Sequence, residues 1–175
     1  MSHARTLLET KKFTVVRETV TSPSGSEKTR DIVRHPGACI VVPLLGDGRV
    51  CLIRNFRISI RETLIELPAG TLEPPELPAA TAERELIEET GYRAAKIEFL
   101  HAFYASPGFL DEKMYLYVAT GLTEGLAARE EGEEIENLLV PWDEAMQMVF
   151  RGEIQDAKTI VGLLWVDRLK REGKL

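Results

Sequence analysis

Alternating apolar and polar positions divide most of this chain into short strands. KKFTVVRETV (11–20) and EKTRDIVRH (27–35) are rich in β-branched residues and flank SPSGS, a cluster that turns the chain. They predict a hairpin, and residues 1–11 ahead of it carry no clear pattern and read as a frayed tail. ACIVVPLLGDGRVCLIRNFR (38–57) predicts a second hairpin around Gly46-Asp47-Gly48, apolar enough for burial on both faces. ETLIEL (62–67), KIEFLHAFYA (96–105), KMYLYVATGL (113–122) and NLLV (137–140) are further strands, the middle two joined by SPGFLDE. The period changes to helical in three places. One helix starts near Pro78, whose missing N–H costs nothing in a first turn, and ends near Thr90, with Gly91 free to close it in the left-handed conformation. A second lies in PWDEAMQMVFRGE with Gly152 at its end, and Asp156 caps a third that runs to about Arg171. Strands mixed with three helices predict the α/β class, a mixed and mostly antiparallel sheet with helices on both faces.

The chain is organised around Gly70 to Tyr92, GTLEPPELPAATAERELIEETGY. Ala79, Ala82 and Leu86 form a narrow apolar stripe that can press the helix onto a sheet. Beside it Glu85, Glu88 and Glu89 stand at i, i+3 and i+4, so three carboxylates share one face. Each like-charged pair costs a helix roughly 0.2–0.5 kcal/mol, more where water is excluded. A solvated acidic face is the ordinary explanation of such a run. A cation is the other, and clustered carboxylate oxygens suit Mg²⁺ or Mn²⁺ best.

Spacing separates the two. Gly70, five residues, Glu76, seven residues, then Arg84-Glu85-Leu86-x-Glu88-Glu89-x-Gly91 resembles the signature of the Nudix hydrolases. The seven positions among them that are fixed in identity, all but Leu86, would coincide by chance on the order of 10⁻⁸ per window. Tyr92 stands where the pattern more often has an aliphatic residue. RHPGA, LPAG, SPGF-x-DE and DAKT resemble the ADP-ribose pyrophosphatase subgroup, as does Pro107, fifteen residues past Tyr92 in Ser106-Pro107-Gly108, so the likeness runs from about residue 28 to 165.

The resemblance implies a Nudix-type α/β/α sandwich with a mixed sheet (37–175), preceded by the N-terminal β-hairpin arm (1–36). An isolated hairpin is marginal in water; related enzymes use this arm in their dimers, so a homodimer is expected. It implies Glu85 and Glu89 as metal ligands with the Ala69 carbonyl, and Glu88 as a third or indirect contributor. Arg84 cannot bind a metal and is expected to pair with Glu76 or a helix acid. The acidic loop at 130–134 would alone be a solvated loop; in related ADP-sugar hydrolases a loop glutamate here takes the proton from the attacking water, and Glu131 and Glu133 correspond best, Glu131 as base and Glu133 nearer the metal. Arg30, Arg34, Arg54 and Arg57 are candidates for the diphosphate, Phe56 or Phe109 for stacking on the base, and Pro107, Gly108 and Glu112 for shaping the pocket.

Composition narrows the rest. A chain of 175 residues that is 44% apolar can bury one core, and a net charge of −6 without a basic stripe excludes a nucleic-acid partner. Neither a secretory signal nor an apolar run of membrane-spanning length is present, which predicts a soluble, cytoplasmic protein with no membrane partner. Cys39 and Cys51 read as small buried hydrophobes and the three histidines as structural. The activity implied is Mg²⁺-dependent hydrolysis of ADP-ribose to AMP and ribose 5-phosphate. The alternatives are another nucleoside diphosphate sugar such as GDP-mannose, or a non-catalytic Nudix sensor, which usually has a degraded motif where this one is intact.

Overall fold

Every residue from Ala38 to Pro43 is buried, and alternate side chains of this one strand serve two separate cores. Ile40 and Val42 point into one, Cys39 and Val41 into the other, as the period of two demands of a strand covered on both faces. The computed structural model describes residues 3–129 and 135–175, His3 without its side chain.

The strands are β1 (His3–Glu9), β2 (Thr14–Thr21), β3 (Glu27–Arg34), β4 (Ala38–Pro43), β5 (Arg49–Arg57), β6 (Glu62–Glu66), β7 (Ala69–Thr71), β8 (Arg93–Tyr104), β9 (Lys113–Thr123) and β10 (Ile135–Pro141). The helices are α1 (Pro78–Glu85), which runs on into a π-helical turn over Leu86–Thr90, α2 (Trp142–Phe150) and α3 (Ala157–Arg171). The mixed sheet has the order β7-β4-β9-β8, with β4 and β9 parallel and the other pairs antiparallel. A second, antiparallel sheet has the order β10-β5-β6. Helix α1 covers the core of Cys39, Val41, Tyr117 and Ala119; α2 and α3 close the core of Ile40, Val42, Leu116 and Val118. Helices therefore lie on both faces, as expected of this class.

Two expectations are corrected. The arm is a three-stranded antiparallel sheet, β1-β2-β3, and β1 occupies the stretch that reads as a frayed tail. Residues 4–9 are all exposed, so β1 is held by its backbone ladder and shows no hydrophobic alternation to read. The segment 38–57 is not a paired hairpin: β4 and β5 leave the Gly46–Gly48 turn for different sheets, with an isolated bridge, Leu44 to Val50, beside the turn. Each is apolar on both faces, and each finds separate neighbours, β7 and β9 for β4, β6 and β10 for β5.

The caps follow the sequence. Asp156 accepts from the Thr159 N–H at 2.9 Å, and Gly91 (φ 81°) closes the acidic helix in the left-handed region. The arm is tied down through the 106–111 turn, where the Val33 N–H donates to the Phe109 carbonyl and the Asp111 N–H to that of Val33. Arg34 pairs with both Asp111 and Glu18. Cys39 and Cys51 are buried free thiols. Among the described residues, no helix is long and apolar enough to cross a membrane.

Candidate active site

The acidic helix delivers its carboxylates to one dipeptide. Ala82 and Leu86 are fully buried and seat the helix on the mixed sheet, while Ala79 stays exposed in the first turn. The same seating turns Glu85 and Glu89 inward, where only 9% and 5% of each residue is exposed. Glu89 Oε2 accepts from the Ala69 N–H at 2.9 Å. Glu85 lies so close to Gly70 that a Cβ there would stand 1.8 Å from Glu85 Oε1 and 1.9 Å from its Cδ. Gly70 is thus required by the approach of a carboxylate; its own φ is ordinary.

Arg84 is the counter-charge of this cluster. Its Nη1 donates to Glu85 at 2.7 Å and to Glu88 at 2.8 Å, and its Nε and Nη2 donate to Glu76 at 3.2 Å. Burial opposes the guanidinium's charge, but Glu76, Glu88 and Glu85 outweigh it and hold its pKa above the ordinary value. Glu76 also accepts from the Thr81 hydroxyl at 2.7 Å, and its pKa is lowered chiefly by Arg84. Arg84 makes the expected pairing, with Glu76 and with acids of the helix.

Two cavities meet at Arg57, Ala69, Gly70 and Thr71. The larger, about 670 Å³, holds Glu85, Glu88, Glu89 and Arg84, with Asn55 and the arm's Lys11 and Lys12 on its walls. The smaller, about 420 Å³, is lined by Phe103, Tyr104, Met114, Glu112 and Lys158. Below the junction lies Glu66, 1% exposed, bound by Arg57 through two bonds of 2.6 and 2.5 Å and by Lys158 at 2.5 Å. Burial raises the Glu66 pKa, yet the bonds and charges of Arg57 and Lys158 prevail and hold it below the ordinary carboxylate range.

Among the other sequence candidates, Glu112 and Arg57 line a cavity, and the rest are placed elsewhere. Arg54 and Phe56 are exposed on β5, whose alternation gives Asn55 and Arg57 to the site. Arg30 is exposed on β3, and Arg34 is committed to its two ion pairs. Pro107, Gly108 and Phe109 form the turn that anchors the arm and line neither cavity. Glu131 and Glu133 lie outside the described residues. Sequence reasoning missed Asn55, Glu66, Lys158, Lys11 and Lys12. Period-two counting back from Arg57 would have found Asn55, and the DAKT string contains Lys158.

Among the described residues, no three acidic, histidine or cysteine side chains surround one point as metal ligands. The donor set nevertheless fits a hard divalent cation: carboxylate oxygens, no sulfur or imidazole, and a glycine cradle that only a missing Cβ opens to Glu85.

Comparison with known proteins agrees with this geometry. The NUDIX domain matches residues 33–161. A methanol dehydrogenase activator of Bacillus methanolicus is 39% identical over 146 residues, 82% of this chain and 79% of that protein. An ADP-ribose pyrophosphatase of Bacillus subtilis (strain 168) is 40% identical over 151 residues, 85% and 82% of the two chains. A GDP-mannose pyrophosphatase of Cronobacter sakazakii is 35% identical over 154 residues, 78% and 80%. A solved structure described as an ADP compounds hydrolase shares the fold, with a TM-score of 0.84, 24% identity, and 99% and 95% of the two chains covered. With the motif, the carboxylate cluster and these relatives in agreement, the chain belongs to the Nudix family.

Proposed function

We propose that this enzyme is a Mg²⁺-dependent pyrophosphatase that splits ADP-ribose into AMP and ribose 5-phosphate. One observation carries the reading: the acidic cluster and the Arg57–Lys158 cations line adjoining cavities with a common wall at Ala69–Thr71. A diphosphate needs both, anionic oxygens to hold its metal and cations to meet its own charge. Relatives described as ADP-ribose pyrophosphatases support the substrate.

Glu85 and Glu89 would hold the ion with the Ala69 carbonyl, Glu88 standing at the edge of the set. The ion, when bound, neutralises phosphate charge and lowers the pKa of a coordinated water. A water oxygen attacks one phosphorus, the bond from that phosphorus to the bridging oxygen breaks, and the water's proton passes to a loop carboxylate, Glu131 by preference, with Glu133 nearer the ion. Arg57 and Lys158 orient the diphosphate, and the 420 Å³ cavity with Phe103 and Tyr104 takes one of its nucleoside or ribose arms.

The protein works as a homodimer through its arm, whose Leu7, Leu8, Phe13 and Val20 are exposed, and the arm brings Arg30 toward the neighbouring site, Arg34 being held by Glu18 and Asp111. A cytoplasmic location suits a nucleotide-sugar substrate.

A turnover panel of nucleoside diphosphate sugars, ADP, ATP and dGTP, with Mg²⁺ and with EDTA, tests the proposal. ADP-ribose should exceed the free nucleotides in kcat/KM by at least about tenfold, because a site that hydrogen-bonds both riboses is left with unpaired groups when one is absent. GDP-mannose is the second reading, favoured by the relatives that act on it. Faster turnover of GDP-mannose would replace ADP-ribose, and tight binding without any turnover would make the protein a sensor.

A further inference from the structure

Gly91 stops the acidic helix, but the motif does not specify the form of its last turn. Its last turn is π-helical, over Leu86–Thr90, and carries Glu88 and Glu89. Such turns are rare in helices and recur at functional sites. Like any helix end, this one leaves carbonyls without partners inside the helix. The structure supplies a separate donor to each of three consecutive ones. The Ala128 N–H donates to the Glu88 carbonyl at 3.0 Å, Arg129 Nε to that of Glu89 at 3.1 Å, and Asn137 Nδ2 to that of Thr90 at 2.8 Å. Arg129 Nη2 also donates to Asn137 Oδ1 at 3.0 Å, which joins the two side chains into one clamp.

Two further hydrogen bonds at this end are local. The Thr90 hydroxyl donates to the Leu86 carbonyl, and the Gly91 N–H donates to Ile87 at 2.8 Å. Gly91 itself is pressed against the incoming chain, where a Cβ would stand 2.6 Å from the Gly125 carbonyl. The chain from Gly125 to Arg129 therefore runs hard against the helix terminus, with a guanidinium at its negative end, where a cation is favoured.

We infer that Arg129 and Asn137 are positioning residues for the metal-binding carboxylates, clamping the backbone carbonyls of Glu89 and Thr90. The inference rests on the proposed metal site but not on the identity of the substrate. The clamp fixes the peptide that carries the Glu89 side chain, and an error of about 1 Å in such a group is enough to cost on the order of 10²-fold in rate. The same pair flanks in sequence the residues 130–134, which include Glu131 and Glu133. Nothing in the motif Gly70–Gly91 specifies these two partners.

The test is Mn²⁺ and Mg²⁺ binding by calorimetry on the full-length protein without substrate, alongside kcat, KM and thermal melts. Arg129→Ala and Asn137→Ala should each weaken metal binding by about 10–100-fold, the scale on which groups that orient metal ligands act. Their kcat should fall at saturating substrate while KM for ADP-ribose stays within about threefold, and the double variant should lose much less than the product of the two, because the side chains act as one unit. Arg129→Lys keeps a donor for the Glu89 carbonyl and should recover most of the affinity, which a general packing defect would not. Metal affinity within about twofold of wild type in both alanine variants overturns the inference, as does equal loss in Arg129→Lys and Arg129→Ala. If an alanine variant does not fold, Asn137→Asp, which keeps the acceptor for Arg129 but not the donor to Thr90, takes its place under the same criterion. A wild-type protein that binds Mn²⁺ but does not hydrolyse ADP-ribose would sink the proposed function and leave the clamp standing.

Discussion

Gly70→Ala offers the sharpest test of the metal site, because its effect on folding and its effect on chemistry should separate. The added Cβ would stand 1.8 Å from Glu85 Oε1, whereas real Cβ contacts essentially never fall below 3.0 Å. The carboxylate must therefore retreat by about 1.2 Å. The stability cost is small: the obstructing atoms are the far end of a flexible side chain, and Gly70 has no left-handed φ that alanine would strain. Loss of glycine entropy in the unfolded chain acts in the opposite, stabilising direction. The melting temperature should stay within about 3 °C of wild type, which for this size corresponds to about 1 kcal/mol. For the ion the same displacement is large. Mg²⁺ holds its ligands at about 2.0–2.1 Å in strict octahedral geometry, so an oxygen moved by more than 1 Å is no longer a ligand. The apparent Mg²⁺ affinity should fall by at least about 10–100-fold, the loss seen when groups that merely orient a ligand are removed. Turnover as a function of Mg²⁺ gives the activation constant, and calorimetry gives the affinity without substrate. A folded Gly70→Ala protein with a wild-type Mg²⁺ requirement would show that Glu85 does not bind the ion.

Four further outcomes are expected. Glu85→Gln and Glu89→Gln should raise the Mg²⁺ requirement as kcat falls, whereas Glu131→Gln should cut kcat by ~10²–10⁴ and leave Mg²⁺ and ADP-ribose binding within a few-fold; wild-type turnover in both Glu131→Gln and Glu133→Gln would move the base elsewhere, to Glu88 or Glu112. Deleting residues 1–36 should yield a poorly active monomer in sedimentation, and an active monomer refutes the arm's role in assembly and catalysis. Glu66→Ala should cost about 3 kcal/mol, the lower end for a buried pair because Arg57 remains 39% exposed. Since the folded pKa of Glu66 is depressed, its contribution is complete above the unfolded carboxylate pKa of about 4.3 and is lost as pH falls through the folded value, so melts of wild type and Glu66→Gln should converge in acid. Burial first pushes both thiols up to about 12, with Glu85 and Glu76 adding to Cys39, so neither Cys39 nor Cys51 should react with iodoacetamide at pH 8 until the protein unfolds; rapid native labelling would contradict the packing.

What the sequence made legible was local. The proline start and glycine end of the acidic helix, the Asp156 cap and the covered faces of β4 are each set by a few neighbouring residues, and each was read correctly. The misreadings involve partners distant in sequence. Nothing near Gly46–Gly48 reveals that β4 will pair with β9, more than seventy residues later, in place of β5. Strand β1 escaped because its ladder is made by backbone groups, which every sequence has. At the site, the motif exposed the acids but not Lys158 or Arg129, because a lysine in DAKT and an arginine in a polar loop stand out only when the fold sets them against Glu66 and the helix end.

That arrangement of charge answers a problem every such site has. Carboxylates for a metal and cations for a diphosphate must lie side by side without neutralising one another. Arg57 lines the cavity that contains Glu89 and feels its charge, so an unrestrained guanidinium would be drawn onto that carboxylate. Glu66 prevents this. Its two oxygens take the Nε and Nη2 of Arg57 in a bidentate pair, and one of them also takes Lys158, which binds Asp156 at 2.8 Å as well. A bidentate pair fixes direction as well as distance, so Arg57 is held on the wall between the cavities. Arg84 does the corresponding work among the acids, spanning Glu76, Glu85 and Glu88 and reaching the Thr71 carbonyl on the common wall at 3.4 Å. Each half of the site thus has its own counter-ion, buried Glu66 for Arg57 and Lys158 and Arg84 for the acids.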